Sequence, residues 1–325
     1  MLERAKEAGV GQCIFTGGSL SESEYALQLA HELGAISLAP DLHAAPGTDR
    51  SAPGTDRSAP ASPTFPATAA GQTATVGLHP TRATELASDP AAYVSALSAL
   101  IVCHRSHVVA LGELGLDNDR LHFASAEAQR TAFVAQLELA KQHNLPLFLH
   151  SRAAHDELVS ILREHRSLWE RRGGVVHSFT GTVAEVGELV ELGLDVGING
   201  CSLKTVENLA AVAALPLERL QLETDAPYCL CTSSHASTPH LASIPADASW
   251  AAGGLIKANK ADKWKEGEMV KGRAEPNGVG RIAWVVAQVK GVPVEDVAAA
   301  AWRNSRRMFF GDGDLPSAGR AGSAI

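Results

Sequence analysis

The feature that most constrains this chain is a rhythm: short apolar runs, each followed by a helix-length amphipathic stretch, repeated along most of the sequence. The runs read as strands at 12–16, 36–38 together with 75–78, 107–112, 146–150, 174–177, 194–198 and 219–223. Helices are expected near 21–33, 89–103, 125–143, 153–166, 182–192 and 204–214, with closing helices near 278–290 and 294–309. The strands are apolar throughout rather than at alternate residues, which predicts burial of both faces and therefore a parallel sheet. Repeated βα units leave two architectures, a doubly wound open sheet or a (β/α)8 barrel. The polar residues favour the barrel. Glu113, His150, His177 and Asp225 each end a different apolar run, and a barrel collects its chemistry at the C-terminal ends of its strands.

The strongest local signal is Ala110-Leu-Gly-Glu-Leu-Gly-Leu-Asp117, which ends a strand with a carboxylate flanked by glycines that let backbone or ligand approach closely. The segment 148–152 (FLHSR) adds an imidazole and a guanidinium, 176–179 (VHSF) a second imidazole, and 223–228 (ETDAPY) another carboxylate. A lone strand-end histidine is usually a packing residue. Two histidines, a glutamate and an aspartate at the ends of four different strands are the donors of a metal site instead. Nitrogen and oxygen donors without thiolates suit Mg²⁺, Mn²⁺ or Zn²⁺. Glu113 can bridge two such ions, and paired ions polarise a phosphodiester and stabilise its leaving oxygen. Asp225 can both hold a metal and accept the proton of an attacking water. Ser151 and Ser178 have no Gly-x-Ser-x-Gly elbow around them, which argues against a serine nucleophile.

Together with Gly77-Leu-His79-Pro80, these motifs resemble the successive motifs of the TatD deoxyribonuclease family. Phe15-Thr-Gly-Gly-Ser-Leu20, 77–82 (GLHPTR) and Asn199-Gly-Cys-Ser-Leu-Lys204 resemble its eukaryotic branch in particular. The resemblance runs from about residue 3 to 310, leaving out 41–73 and part of 229–262. It implies a TIM-barrel (β/α)8 domain of metal-dependent hydrolase type that cleaves DNA, with single strands or ends as the substrate. It also implies metal ligation by Glu113, His150, His177 and Asp225, and active-site roles for His79 and Arg152, the latter on a phosphate. Arg82 and Lys204, on strand-end loops, are further candidate phosphate contacts. The same centre could hydrolyse another ester, such as an aminoacyl-tRNA, or belong to a catalytically impaired member.

Two departures from the family shape the expectation. Members begin with a strand that often carries His-x-His, whereas Met1 here falls inside the first helix, so seven strands are expected where eight close a barrel. The family's Asn-Glu-Pro is Ala274-Glu275-Pro276. A late start codon would account for the first strand, and translated non-coding sequence for an insert at 41–73. That insert repeats APGTDRS at 45–51 and 52–58 and offers too little apolar surface to offset its ordering entropy, so it is expected to be a disordered loop. One domain is expected over 1–310, with an irregular loop region at 229–276 and a disordered tail at 311–325.

Charge and composition narrow the partners. A net charge of −8 advertises no basic face, so nucleic-acid contact should be small and centred on the site. Trp250, Trp264 and the stretch Lys257 to Lys271 offer either base stacking or ordinary loop packing, and Ser233-Ser-His235 resembles a family segment that lines the site. No long apolar run suggests a membrane span, and Met1 to Val10 lacks a signal core, which points to the cytoplasm or nucleus. Five cysteines, an odd number mostly beside strand-like runs, predict buried free thiols rather than a disulfide framework.

Overall fold

The structure, a computed structural model, describes residues 1–34, 72–246, 248 and 258–311. Expectations for the insert up to 71, for Ile36 to Leu38, for Trp250 and Lys257, and for 312–325 lie outside those residues. A short helix α1 (Leu2–Glu7) leads into β1 (Ile14–Phe15) and α2 (Leu20–Gly34). Then follow β2 (Thr73–Val76), α3 (Pro90–Cys103), β3 (Val108–Asp117), α4 (Ala126–His143), β4 (Leu147–Arg152), α5 (His155–Glu164) and α6 (Arg166–Trp169). Next come β5 (Gly174–Val176), α7 (Val183–Leu192), β6 (Asp195–Ile198), α8 (Val206–Ala214) and β7 (Leu220–Leu222). A short α9 (Thr238–Ala242), a two-stranded sheet of β8 (Ala258–Asn259) and β9 (Met269–Val270), α10 (Val279–Lys290) and α11 (Val294–Ser305) complete the order.

The seven main strands pair in sequence order, every neighbour parallel, giving the curled α/β sheet of a TIM-barrel-type fold. Among the described residues β1 and β7 are the two edges and do not pair with each other. The helix boundaries follow local chemistry. Asp89 caps α3 through Ala92 N–H and Pro90 opens it, while α7 begins with a reciprocal Thr182/Glu185 cap and ends at the left-handed Gly193. Leu97, Leu111, Leu137, Leu147, Leu158 and Leu189 are fully buried between sheet and helices. Truncating any one of them to alanine costs about 2–5 kcal/mol.

Two regions carry more order than their sequence suggested. The stretch expected to be irregular at 229–276 contains α9 and the small β8–β9 sheet, and Trp264 there donates its indole N–H to the Glu268 carbonyl at 2.7 Å, packing within its own loop. Gln72 and Thr73, placed in the insert by sequence, are buried at the start of β2. The last helix departs in the other direction. It stops at Ser305, and a π-helical turn over Arg306–Phe310 tucks Met308 and Phe309 against Val109, Ala110 and Val175 at the N-terminal ends of the strands. There Asp195, fully buried, accepts from Arg307 Nη2 at 2.7 Å, Gln221 Nε2 at 2.9 Å and Arg219 Nη1 at 3.3 Å. At the other terminus α1 is more than a surface helix. Ala5 is buried, and Arg4 donates twice to Glu275, at 2.8 Å each, tying α1 to the turn before α10. No single described helix is long and apolar enough to cross a membrane.

Candidate metal centre at the strand ends

Glu113 is not the last residue of its strand, as its sequence predicted, but a bulge within it. Gly112 pairs with Phe148 and Leu114 with Leu149, so β3 spends one extra residue against β4 and then runs on to Asp117. A bulge re-aims a side chain and breaks the local ladder. The freed Glu113 N–H finds the Gly17 carbonyl at 2.8 Å. Gly112 and Gly115, at φ 146° and 142°, hold conformations open to glycine, and a Cβ at either would collide with the Phe148 or His150 carbonyl oxygen.

The side chains converge on one oxygen. Glu113 Oε1 lies 2.7 Å from His150 Nδ1, 2.7 Å from His177 Nε2 and 3.3 Å from His79 Nε2. His79 comes from the loop after β2, where its Nδ1 faces the Thr81 N–H at 3.1 Å and hydroxyl at 2.7 Å. His150 comes from β4, and its Nε2 lies 3.2 Å from Asp117 Oδ2. His177 follows β5, stacked on the Phe148 ring at 4.7 Å, with Nδ1 3.7 Å from Glu223 Oε1. Glu223 in turn accepts from Ser178 N–H at 2.5 Å and Asn199 Nδ2 at 3.2 Å. Asp225, at a left-handed φ of 49° beyond β7, accepts from the Cys229 thiol at 3.1 Å.

Electrostatics follow from this packing. Burial alone would raise the Glu113 carboxyl, but the His177 charge and hydrogen bonds from His150, His177 and His79 hold it well below the carboxylate range. Burial would lower His177, yet Glu113 and then Glu223 carry it well above 6.5; Asp117 and Glu113 raise His150 against the same penalty. Asp225 moves the other way, its carboxyl raised chiefly by burial.

His79, Glu113 and His150 each offer a ligand atom within 4.8 Å of the others, so this group could hold a metal ion. Asp117 Oδ1 beside them is buried without a hydrogen-bond partner, an acceptor that a cation would satisfy. Imidazole and carboxylate donors with an orphan oxygen fit a divalent cation.

The remaining candidates sit further out. Arg152 is half exposed and bonds Asp119 at 2.9 Å; Arg82 bonds Glu22 at 3.0 Å and lies 3.6 Å from Glu85. Lys204 is exposed beyond the 3-10 turn Cys201–Leu203, with His235 on the neighbouring segment. The five cysteines are free, but Cys103 is exposed and the rest half-buried rather than buried, because Cys201, Cys229 and Cys231 lie on loops past the strand ends. Asp117, Glu223, Asn199 and Ser178 belong to the site's framework without having been singled out by sequence. A signal existed for Asp117: it stands four residues after Glu113, an even spacing that returns to the same face of a strand. An open cavity of about 510 Å³ lies past the ends of β4 and β5, lined by Asn118, Ser151, His155, Phe179 and Thr180 among others and by none of the clustered side chains.

Comparison with known proteins agrees with the fold and identifies the family. Residues 65–310 match the sequence model of the family described as TatD related DNase. A protein named Deoxyribonuclease Tat-D from Schizosaccharomyces pombe is 37% identical over 311 residues, 94% of this chain and 85% of that protein. A 3'-5' ssDNA/RNA exonuclease TatD from Rahnella is 35% identical over 71% of this chain and 72% of its own length. The crystal structure of a hydrolase TatD family protein from Entamoeba histolytica superposes with a TM-score of 0.76 at 26% identity, covering 95% of this chain and 88% of that one.

Proposed function

Because the chain belongs to the TatD family of DNases, we propose that it is a metal-dependent deoxyribonuclease that removes nucleotides from single strands or ends of DNA, inside the cell in cytoplasm or nucleus. The observation that carries this reading is the convergence of His79, His150 and His177 on Glu113 Oε1. Glu113, His150, His177 and Asp225 would hold two divalent ions, Mg²⁺, Mn²⁺ or Zn²⁺, with His79 completing the donor set. When bound, such cations supply the positive charge that polarises a phosphoryl oxygen and stabilises the leaving oxygen. The span 1–310 acts as one hydrolase domain, a reading supported by the single seven-stranded sheet whose strands and following loops carry every donor.

The chain's own groups divide the remaining work. Asp225 accepts the proton of the attacking water, a role supported by a carboxyl that burial has already made more basic. Glu223 fixes the His177 ring through Nδ1 and holds Ser178 and Asn199, the kind of outer carboxylate that orients a ligating imidazole. Arg152 steadies the scissile phosphate by exchanging its exposed Asp119 partner for it, and Arg82 and Lys204 contact phosphates further along the strand. The cavity beside Ser151 and Phe179 takes the neighbouring nucleotide.

The test is nucleotide release from single-stranded DNA by the purified chain with Mg²⁺ or Mn²⁺, beside Glu113→Ala. Release that disappears in the variant supports the nuclease. Release that persists removes Glu113 from the centre, and amino-acid release from aminoacyl-tRNA in place of nucleotide release reassigns the substrate.

A further inference from the structure

The segment that carries β8 and β9 is tied to the loop after β7 and differs from its surroundings in charge. Ala274, buried, donates its N–H to the carbonyl of Pro227, two residues past Asp225, at 3.0 Å. Tyr228, the next residue, donates its N–H to the Asp225 carbonyl at 2.7 Å and is 71% exposed. The β8–β9 segment has a fixed frame of its own. Glu268 accepts from Asn259 Nδ2 at 2.6 Å and from Lys265 N–H at 3.2 Å, and Lys271 N–H finds the Asn259 carbonyl at 2.8 Å. Trp264 is pinned by its edge, with the indole N–H on the Glu268 carbonyl, while 46% of the residue stays exposed.

Lys260, Lys263, Lys265, Lys271 and Arg273 on this segment are exposed, and none is ion-paired with a described residue. The arginines on the loops and helices past the other strands are taken: Arg82 by Glu22, Arg120 by Asp117, Arg130 by Glu157 and Arg152 by Asp119. A paired cation must give up its partner before it meets a phosphate, whereas an unpaired one only sheds water and counterions. Lone exposed lysines are ordinarily just solvated. These share one fixed loop with an indole whose polar edge is satisfied and whose ring is open to water. An apolar face beside positive charge matches an unpaired nucleotide, which offers a π-face of any base identity and a phosphate.

We propose that 258–273, with Tyr228, is a landing platform for single-stranded nucleic acid that holds the strand outside the hydrolytic centre. Trp264 and Tyr228 stack on bases, and the five cations take phosphates. Binding stands on this geometry alone; its service to hydrolysis rests on the nuclease reading given above. A blunt duplex gains nothing from the aromatic rings, because its paired bases keep their faces stacked inside the helix. On a chain of net charge −8 the platform is also a local exception, so a strand repelled elsewhere is drawn to the side of the mouth where Asp225 lies.

The test is fluorescence anisotropy of a labelled oligothymidylate of about 20 nucleotides on the full chain, with a chelator present so that nothing is cut. Trp264→Ala should weaken binding about tenfold, and Trp264→Phe should restore most of it because a phenyl ring also stacks. Binding of a blunt duplex should register neither change. The triple variant Lys263→Gln, Lys265→Gln, Lys271→Gln should melt with the unsubstituted chain. It should lower the slope of log affinity against log salt by about 2, since each single-strand phosphate contact contributes roughly 0.7. With Mn²⁺, Trp264→Ala should raise KM on the long strand about tenfold at unchanged kcat and leave KM for a dinucleotide alone. Equal binding by Trp264→Ala and the unsubstituted chain, an equal loss on duplex, an unchanged salt slope, or a long-strand KM that ignores Trp264 overturns the proposal. If the unsubstituted chain binds the strand but releases no nucleotide, the hydrolase reading fails by itself, and the anisotropy still decides the platform.

Discussion

At the N-terminal ends of the strands Asp195 is held by Arg307, Arg219 and Gln221; at the C-terminal ends Glu113 is held by three histidines. Both carboxylates are withdrawn from water on the same sheet, yet their acidities move apart. Burial wins at Asp195, whose carboxyl is raised in spite of two guanidinium partners, while the imidazoles outweigh burial at Glu113. The guanidinium groups are partly exposed, Arg307 by 41% and Arg219 by 34%, so water screens them. The imidazoles beside Glu113 are largely enclosed. There is a second difference. Guanidinium cannot discharge at any working pH, whereas imidazole can near neutrality. The lower end is a permanent clamp, and the upper end can release protons and accept a cation in their place.

The comparison breaks most sharply with Glu113→Gln, which should lower metal-dependent nucleotide release by about 10³-fold or more, since several kcal/mol of charge stabilisation go with the metal. Calorimetric metal titration and a thermal melt of the same sample check it. A variant that melts normally but binds no ion supports the contrast, and full activity would sink it. Arg307→Ala should do the reverse, leaving turnover per folded molecule intact while costing about 2–3 kcal/mol, less than a fully buried pair because of its exposure. Urea unfolding with a matched rate measurement decides. Glu223→Gln should weaken metal binding by about 10–100-fold with little loss of stability, the range for an outer partner of a ligating histidine; unchanged affinity would show that the 3.7 Å contact to His177 orients nothing.

The smallest effect is on pH. The depressed Glu113 carboxyl contributes stability that is present above its ordinary 4.5 and lost as pH falls through its folded value. The raised His150 and His177 contribute stability that is full below their ordinary 6.5 and lost as pH rises through their folded values. Metal-free chain should therefore melt highest in mildly acid solution, between those two ordinary values, and added metal should shift the maximum upward because it displaces the imidazole protons. A melting-temperature profile from pH 4 to 9, with and without Mn²⁺, tests this. A metal-free maximum in alkaline solution would contradict the assigned charges.

Much of this contrast was readable in the amino-acid sequence, but unevenly. The strands announced themselves because parallel strands buried on both faces are apolar without interruption, as at 147–149 and 174–176. Glu113, His150, His177 and Asp225 stood out because each interrupts or follows such a run. Glu223 did not, since a carboxylate two residues from Asp225 looks redundant until Ser178 N–H and Asn199 are folded against it. Nor did the clamp under the sheet: Asp195 and Arg307 are separated by more than a hundred residues, and no local pattern links them. The π-helical turn was equally hidden, because Arg306 to Phe310 continue a helical periodicity that only the contacts of Met308 and Phe309 beneath the strands explain.

The bulge at Glu113 makes the segment 112–117 sensitive to length before it is sensitive to composition. A strand is a ruler with two-residue divisions, and the extra residue slips β3 by half a division against β4 before Asp117 is reached. Substituting Leu114 by another aliphatic residue would leave that count intact. Deleting any one residue between 113 and 117 would reset it, turning Asp117 away from His150 and the leucines toward the cluster. Drift along this stretch can exchange its leucines, but it can change neither the number of residues nor Gly112, Gly115 and the two acids.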